Sequence, residues 1–135
     1  MKELTVDAVV SNIPLVTDFV DRQLEELDCP MKAQMQIDIA IDEIFANISS
    51  YAYSPEVGPA IVRVEVLEDP LSVTITFVDN GVPFDPLTAD EPDTSKTAEE
   101  RQIGGLGIFM VKQTMDAISY EYKDGQNILM IKKNL

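Results

Sequence analysis

Three short motifs in this sequence contain carboxylates, side-chain amides or clustered glycines, which are residue types typical of binding and catalytic sites. The first pairs Glu43 with Asn47. Residues four apart on a helix lie one turn apart on nearly the same side. A carboxylate that can accept a proton would then lie beside an amide oxygen that can bind Mg2+. The alternative is that both are ordinary residues on the border of a helix, and the pair alone does not decide.

The second motif begins at Asp79 and continues through Asn80, Gly81, Val82 and Pro83. Asn-Gly after a strand favours a hairpin turn, but prolines at positions 83 and 86 could not donate to a returning strand. The turn therefore leads into a loop. In the functional interpretation, Asp79 accepts a hydrogen bond from the adenine amino group and Gly81 lets the backbone approach the base. An ordinary turn remains the alternative.

The third motif is a glycine-rich run at a predicted helix start, Gly104-Gly105-Leu106-Gly107-Ile108. Free amide groups and the helix dipole attract anions there, and missing Cβ atoms let a phosphate come close. The run is not a Walker A loop, since no Gly-Lys-Ser/Thr follows, and it fails the dinucleotide fingerprint because it follows a loop. A flexible connection into the helix is the alternative.

Hydrophobic periodicity predicts the elements that must position these motifs. In chain order they are a strand at 3–8, helices at 13–28 and 33–53, strands at 61–66 and 73–78, a helix from 104 to about 115, and strands at 117–122 and 127–132. Polar residues 84–103 form a long loop, which is typical of a functional lid or of disorder. We expect one domain over 1–135, an α+β two-layer sandwich whose mostly antiparallel mixed sheet has helices on one face.

The second helix should have a buried side and a water-facing side. Its buried side is predicted from apolar residues at helical spacing, Ile37, Ala40, Ile44, Ile48 and Tyr51. We expect Asp38, Asp42 and Ser49 to face water. Glu43 and Asn47 belong to neither group, so they would face whatever packs alongside the helix.

Composition excludes several function classes. The formal net charge of -14, from 24 acidic and 10 basic residues, argues against nucleic-acid binding. The same charge would repel ATP, so an ATP site here requires Mg2+. The sequence has no histidine, which removes catalytic triads and phosphohistidine chemistry and leaves carboxylates for acid-base work.

The cysteine content and the lack of a recognisable targeting segment favour a cytoplasmic location. Cys29 is the single cysteine, so no disulfide forms within the chain. The first residues have no apolar stretch resembling a signal peptide, and no window approaches the roughly 18 apolar residues of a membrane helix. We therefore expect a cytoplasmic protein without a membrane partner.

Taken together, the motifs resemble a known nucleotide-binding fold. Glu-x-x-x-Asn on a helix, Asp-x-Gly-x-Pro-Phe-Asp-Pro after a strand, and Gly-Gly-Leu-Gly-Ile-Phe-Met at a helix start occur in one order over nearly the whole chain. This is similar to the Bergerat-type fold shared by DNA gyrase, the histidine kinases and MutL. It looks most like the branch of anti-sigma-factor serine kinases.

The resemblance implies a role for each motif. It makes Glu43 the catalytic carboxylate, Asn47 the ligand of Mg2+, and Asp79 the residue that reads adenine, with Gly81, Val82 and Pro83 beside the base. It assigns the phosphates of ATP to the glycine-rich motif and the lid cation before it, namely Arg101, Gly104, Gly105, Leu106, Gly107 and Ile108.

The resemblance also implies a function and partners. Members bind a sigma factor and phosphorylate a serine or threonine of a small STAS-type anti-anti-sigma protein, and they pair as homodimers. Two departures stand out: Tyr51 replaces a frequent histidine, and Gln102 and Ile103 separate Arg101 from the glycines, where relatives often have an arginine directly. Lys96 is the other lid cation.

The displaced arginine keeps an alternative open, an ATP-binding regulatory module without kinase turnover. A fragment of a sensor histidine kinase fits less well, because histidine and a pair of dimerisation helices are both lacking.

Overall fold

The computed structural model describes residues 1–53, 56–88 and 105–135. Within them the chain forms three α-helices and five strands, and every predicted element is confirmed. In order these are β1 (Lys2–Asp7), α1 (Ile13–Glu26), α2 (Met31–Tyr51), β2 (Pro59–Leu67), β3 (Ser72–Asp79), α3 (Gly105–Thr114), β4 (Ala117–Lys123) and β5 (Gln126–Asn134). Of the predicted lid at 84–103, residues 84–88 are described, with a 3-10 turn at Pro86–Thr88.

The strands form one sheet in the order β1-β2-β3-β5-β4. Each pairing among the described strands is antiparallel, where the sequence allowed a mixed sheet. The turn between β4 and β5 has positive φ at Asp124 and Gly125, 53° and 77°. This is the backbone of a two-residue hairpin turn whose twist matches that of the strands.

One apolar core joins the sheet to the helices. Because side chains alternate along a strand, the register aligns Val62 of β2, Phe77 of β3 and Leu129 of β5 on one face. Side chains of that face and of all three helices belong to a single buried cluster. The α+β two-layer sandwich is therefore confirmed. No helix in the described ranges is long and apolar enough to cross a bilayer.

The buried side of α2 is confirmed for Ile37, Ala40 and Ile44, whereas Tyr51 is 42% exposed. Tyr51 stacks on the ring of Phe84. Tyr51 is the last residue of α2. The last turn of this helix has the segment after β3 as its neighbour, since the amide of Val82 donates to the carbonyl of Ala52, just beyond the helix, at 2.8 Å.

Asp38 does not face water as predicted, because α1 packs over that side of α2. It is half-buried, and its Oδ1 atom and that of Asp21 on α1 are both buried with no hydrogen-bond partner unless one of the two carboxyls carries a proton. Two ionised carboxylates cannot donate to each other, so a bond between them needs a proton. Burial, the hydrogen bond and charge of Asp21, and the charge of Asp42 raise the pKa of Asp38 to about 8.

We predict that this pair makes the chain less stable at alkaline pH. An unfolded aspartate has a pKa of about 3.9, so from there to about 8 the folded chain binds the extra proton. Stability then falls as pH rises through this window. Asp38→Asn supplies an NH2 group that can donate a hydrogen bond at every pH, so it should reduce the dependence of stability on pH. Because the pair is half-exposed and screened, we expect a gain in Tm of only about 2–4 °C at pH 8.

Urea and thermal unfolding at pH 5 and pH 8 would measure this difference. Asp18→Asn, on the exposed side of α1, is the matched control and should leave the pH dependence as it is in the wild type. An unchanged dependence in Asp38→Asn would show that the pair does not share a proton.

Candidate nucleotide-binding site

A pocket lies between the C-terminal half of α2, the sheet and the segment that follows β3. Asn47, Asp79 and Val82, which come from two of the sequence motifs, all line it. The remaining lining is largely apolar and aromatic: Ile44, Ile48, Tyr51, Ala52, Phe77, Phe84, Pro86, Tyr120, Asn127 and Leu129. Apolar walls with a few convergent polar groups are typical of a small-molecule site.

Asp79 is the buried polar group of this pocket. It ends β3 and is 4% exposed. Its Oδ1 atom accepts hydrogen bonds from the amide of Gly81 and from Nδ2 of Asn127, both at 2.9 Å. No described group donates to Oδ2. The carboxylate is therefore held in one orientation with one oxygen left to accept from a ligand.

Asn127, on β5, is a site residue that the sequence analysis missed. It is 5% exposed, and Nδ2 also donates to the carbonyl of Val82 at 2.8 Å. Its Oδ1 atom accepts from the amide of Phe84 at 3.1 Å and from the hydroxyl of Tyr120. The sequence did contain one indication of its burial. Asn127 has the same alternation along β5 as the buried Leu129, so its side chain is expected to face the core. Periodicity cannot say what such an amide contacts.

Gly81 is required by the end of α2. A Cβ atom at this position would overlap the backbone carbonyl of Ala52. The adjoining Val82 and Pro83 are exposed at the pocket mouth. The close approach of Gly81 to a base stays a prediction, whereas its close approach to Ala52 is observed.

Two aromatic rings meet at the edge of the pocket. The centroids of Tyr51 and Phe84 are 4.7 Å apart at an interplanar angle of 22°. The enclosed volume of the pocket is about 30 Å3, which is room for only one or two water molecules. A purine ring therefore requires these side chains to separate.

Glu43 brings the first and third motifs together. It is half-buried on α2, and a Cβ atom at Gly107 of α3 would overlap its carboxyl group. Burial, with a smaller contribution from the charge of Asp42, raises the pKa of Glu43. A helix N-terminal turn thus lies directly against a carboxylate that is more basic than an exposed one.

The other predicted phosphate residues divide into three groups. Gly105 and Leu106 form the start of α3. Ile108 is 3% exposed in the core, so only its backbone is available to a ligand. Arg101 and Gly104 lie outside the described residues, as does Lys96.

The segment Val82–Thr88, which we call the lid root, is also tied to α3. Nζ of Lys112 donates to the carbonyl of Leu87 at 2.7 Å. The amide of Leu87 donates to Oδ1 of Asp85 at 2.8 Å. The start of the predicted lid is therefore attached to the helix that carries the glycine-rich motif.

The model of the histidine kinase-like ATPase domain family matches residues 6–133. The chain belongs to this family. Its sequence is 29% identical over 100 residues to the serine/threonine-protein kinase BtrW of Bordetella bronchiseptica, covering 74% of this chain and 70% of that protein. These comparisons confirm the resemblance that the motifs indicated.

Further relatives of this ATPase-domain chain are serine-protein kinases named RsbW. The protein of Listeria monocytogenes is 33% identical over 99 residues, covering 70% of this chain and 62% of that protein. The protein of Bacillus velezensis is 32% identical over 97 residues, covering 70% and 61%. The match thus spans about three fifths of the RsbW proteins' length.

A solved structure shows the same fold. The match is to the crystal structure of the SiaB-SiaC complex from Pseudomonas aeruginosa, with a TM-score of 0.55 and 17% identity. It covers 98% of this chain and 89% of that chain. The similarity of fold therefore extends over nearly the whole chain.

The two site glycines should respond differently to alanine. In Gly81→Ala the new methyl group meets the rigid backbone of Ala52, so we expect a loss of about 1–3 kcal/mol in the free energy of unfolding. In Gly107→Ala it meets the flexible end of Glu43, which can move aside, so the loss should be smaller. Urea denaturation compares the two. A larger loss in Gly107→Ala would contradict the assignment.

Proposed function

We propose that this chain binds Mg-ATP and transfers its γ-phosphoryl group to a serine or threonine of a STAS-type anti-anti-sigma protein. It would act in the cytoplasm as an anti-sigma regulatory factor that also binds a sigma factor and pairs as a homodimer. The observation that carries this proposal is the meeting of Glu43 with the first turn of α3, beside a pocket that contains Asn47 and Asp79. The serine-protein kinase names of the relatives support it.

Once the rings of Tyr51 and Phe84 separate, the lining of the pocket suits a purine. The apolar side chains of Ile44, Ile48 and Leu129 can cover the faces of a flat ring. Asp79 presents a fixed acceptor at the polar end, which complements the amino group of adenine and repels the carbonyl of guanine.

The phosphates would lie toward α3. The amides of Gly105, Leu106, Gly107 and Ile108 belong to its first turn, where the partial positive charge of a helix N-terminus favours anions. Arg101 and Gly104 complete this assignment as proposals. Asn47 supplies an oxygen for Mg2+, which prefers to share its coordination with phosphates and water. When bound, Mg2+ would offset the negative charge of the phosphates against the net charge of -14.

Glu43 is the proposed general base. In the transfer, Oγ of the partner's serine bonds to the γ-phosphorus, and the bond to the bridging oxygen breaks as ADP departs. The hydroxyl proton passes to the Glu43 carboxylate. Burial raises the pKa of Glu43, which strengthens it as a proton acceptor.

The displaced arginine supports a second candidate, an ATP-binding module that changes conformation without turnover. Gln102 and Ile103 intervene between Arg101 and the glycines. Tight binding of Mg-ATP with no phosphotransfer to any STAS-type partner would favour this candidate over the kinase.

Nucleotide binding is tested by thermal shift with ATP and GTP, with and without Mg2+. We expect Mg-ATP to stabilise the wild type by about 2.7 kcal/mol at a hundred times its Kd, and GTP to have little effect. Asp79→Asn places an amide where the carboxylate was. Its NH2 group would oppose the adenine amine but could donate to the guanine carbonyl, so the preference should shift toward GTP. An unchanged preference would remove Asp79 from base recognition.

Catalysis is tested with labelled ATP and a STAS-type partner. Glu43→Gln should lower kcat by at least about 100-fold while ATP binding remains. The matched control is Asp42→Asn, one residue away and exposed. It should stay active, and because the charge of Asp42 raises the pKa of Glu43, its activity should persist to lower pH than that of the wild type. Full labelling by Glu43→Gln would exclude Glu43 as the base.

A further inference from the structure

Asn127 uses its whole hydrogen-bonding capacity within the described structure. A side-chain amide has two N-H donors and two acceptor positions on oxygen. The donors bond Oδ1 of Asp79 at 2.9 Å and the carbonyl of Val82 at 2.8 Å. The oxygen accepts from the amide of Phe84 and the hydroxyl of Tyr120. One buried side chain thus connects β3, β4 and the lid root.

Only one orientation of this amide satisfies its neighbours. If the group were flipped, its oxygen would face the Asp79 carboxylate and the Val82 carbonyl, and its NH2 would face the Phe84 amide. Two pairs of acceptors and one pair of donors would then face each other in a buried site, where unpaired polar groups are costly. The fixed amide in turn fixes Oδ1 of Asp79, so that Oδ2 is the oxygen available to a ligand.

We propose that Asn127 is a positioning residue that aligns Asp79 for recognition of an amino-purine and couples that recognition to the lid root. The inference rests on the proposed function and adds to it a residue outside the three motifs. Asn127 acts through Asp79 and through the backbone at Val82 and Phe84.

Base recognition is coupled to the lid root because Asn127 hydrogen-bonds both Asp79 and the backbone of Val82 and Phe84. Phe84 is held by its backbone amide, while its ring stacks on Tyr51 over the pocket. The ring can therefore turn away to admit a base without loss of the backbone bond. A base that bonds Asp79 would tighten the same amide that holds Val82 and Phe84 in place.

The experiment compares the affinities of two nucleotides by calorimetry, Mg-ATP and the Mg-triphosphate of purine riboside, which lacks the exocyclic amine. We expect wild type to prefer ATP, and Asn127→Ala to lose this preference by about tenfold, the value of one hydrogen bond to a charged group. A residue that only supports the fold would weaken both nucleotides equally. In the Asp79→Ala background, Asn127→Ala should cause no further loss of preference.

Gln126→Ala is the matched control. This neighbouring amide bonds Asn80 at 3.1 Å and lies outside the Asp79 network, so the preference for ATP should be kept. Should Asn127→Ala fail to fold, Tyr120→Phe removes only the hydroxyl that bonds Oδ1 of Asn127. We then expect about a two- to threefold loss of preference, the lower range for a neutral hydrogen bond.

Hydrogen exchange at the Phe84 amide tests the coupling in the same wild-type protein. ATP should slow this exchange more than the amine-free nucleotide does at equal saturation. Equal protection by both would overturn the coupling, and a preference for ATP retained in Asn127→Ala, or in Tyr120→Phe where that variant stands in, would overturn the positioning role. A wild type that binds no Mg-ATP would instead sink the proposed function, and this inference with it.

Discussion

A single buried carboxylate at the end of the central strand constrains the architecture of the pocket. Asp79 is 4% exposed, and a carboxylate removed from water must be hydrogen-bonded or it destabilises the fold. The backbone satisfies one part of this need by turning back at Gly81, and β5 satisfies the other with Asn127. Because the same amide holds Val82 and Phe84, the path of the chain after β3 is tied to that carboxylate.

The long helix α2 serves as the common wall of the site. Its middle carries Glu43 against α3, and its last turns line the pocket and bond the lid root. At both contacts a Cβ atom on the neighbouring segment would overlap α2 or the residue just after it, and both neighbours are glycines. Gly81 lies against Ala52 just beyond the helix end, and Gly107 lies against Glu43 at the helix middle. Gly81 and Gly107 therefore allow close packing within the protein, in addition to any role with a ligand.

Two acids on α2 show how position changes the meaning of a raised pKa. Burial is the largest cause for both Asp38 and Glu43. Asp38 faces another carboxyl in a helix interface, where a bound proton relieves repulsion and helps packing. Glu43 lies against the N-terminal turn of α3, and the neighbouring Ile44 lines the pocket. Greater basicity at Glu43 is what the proposed proton transfer requires. Burial raises the pKa of both carboxyls, and the groups beside each one determine what the raised pKa does.

Periodicity and turn chemistry are local properties, so the element order, the two-layer α+β class and the three motifs were predictable from the residues alone. Asn47 and Asp79, which were singled out from the sequence, line the same pocket, and Glu43 lies against Gly107 of the third motif. The contacts of Asn127, Tyr51 and Asp38 could not be predicted in this way, since each side chain meets a partner distant in the chain: Asp79, Phe84 and Asp21. Local patterns report which side chains can be buried, and packing alone determines what they meet there.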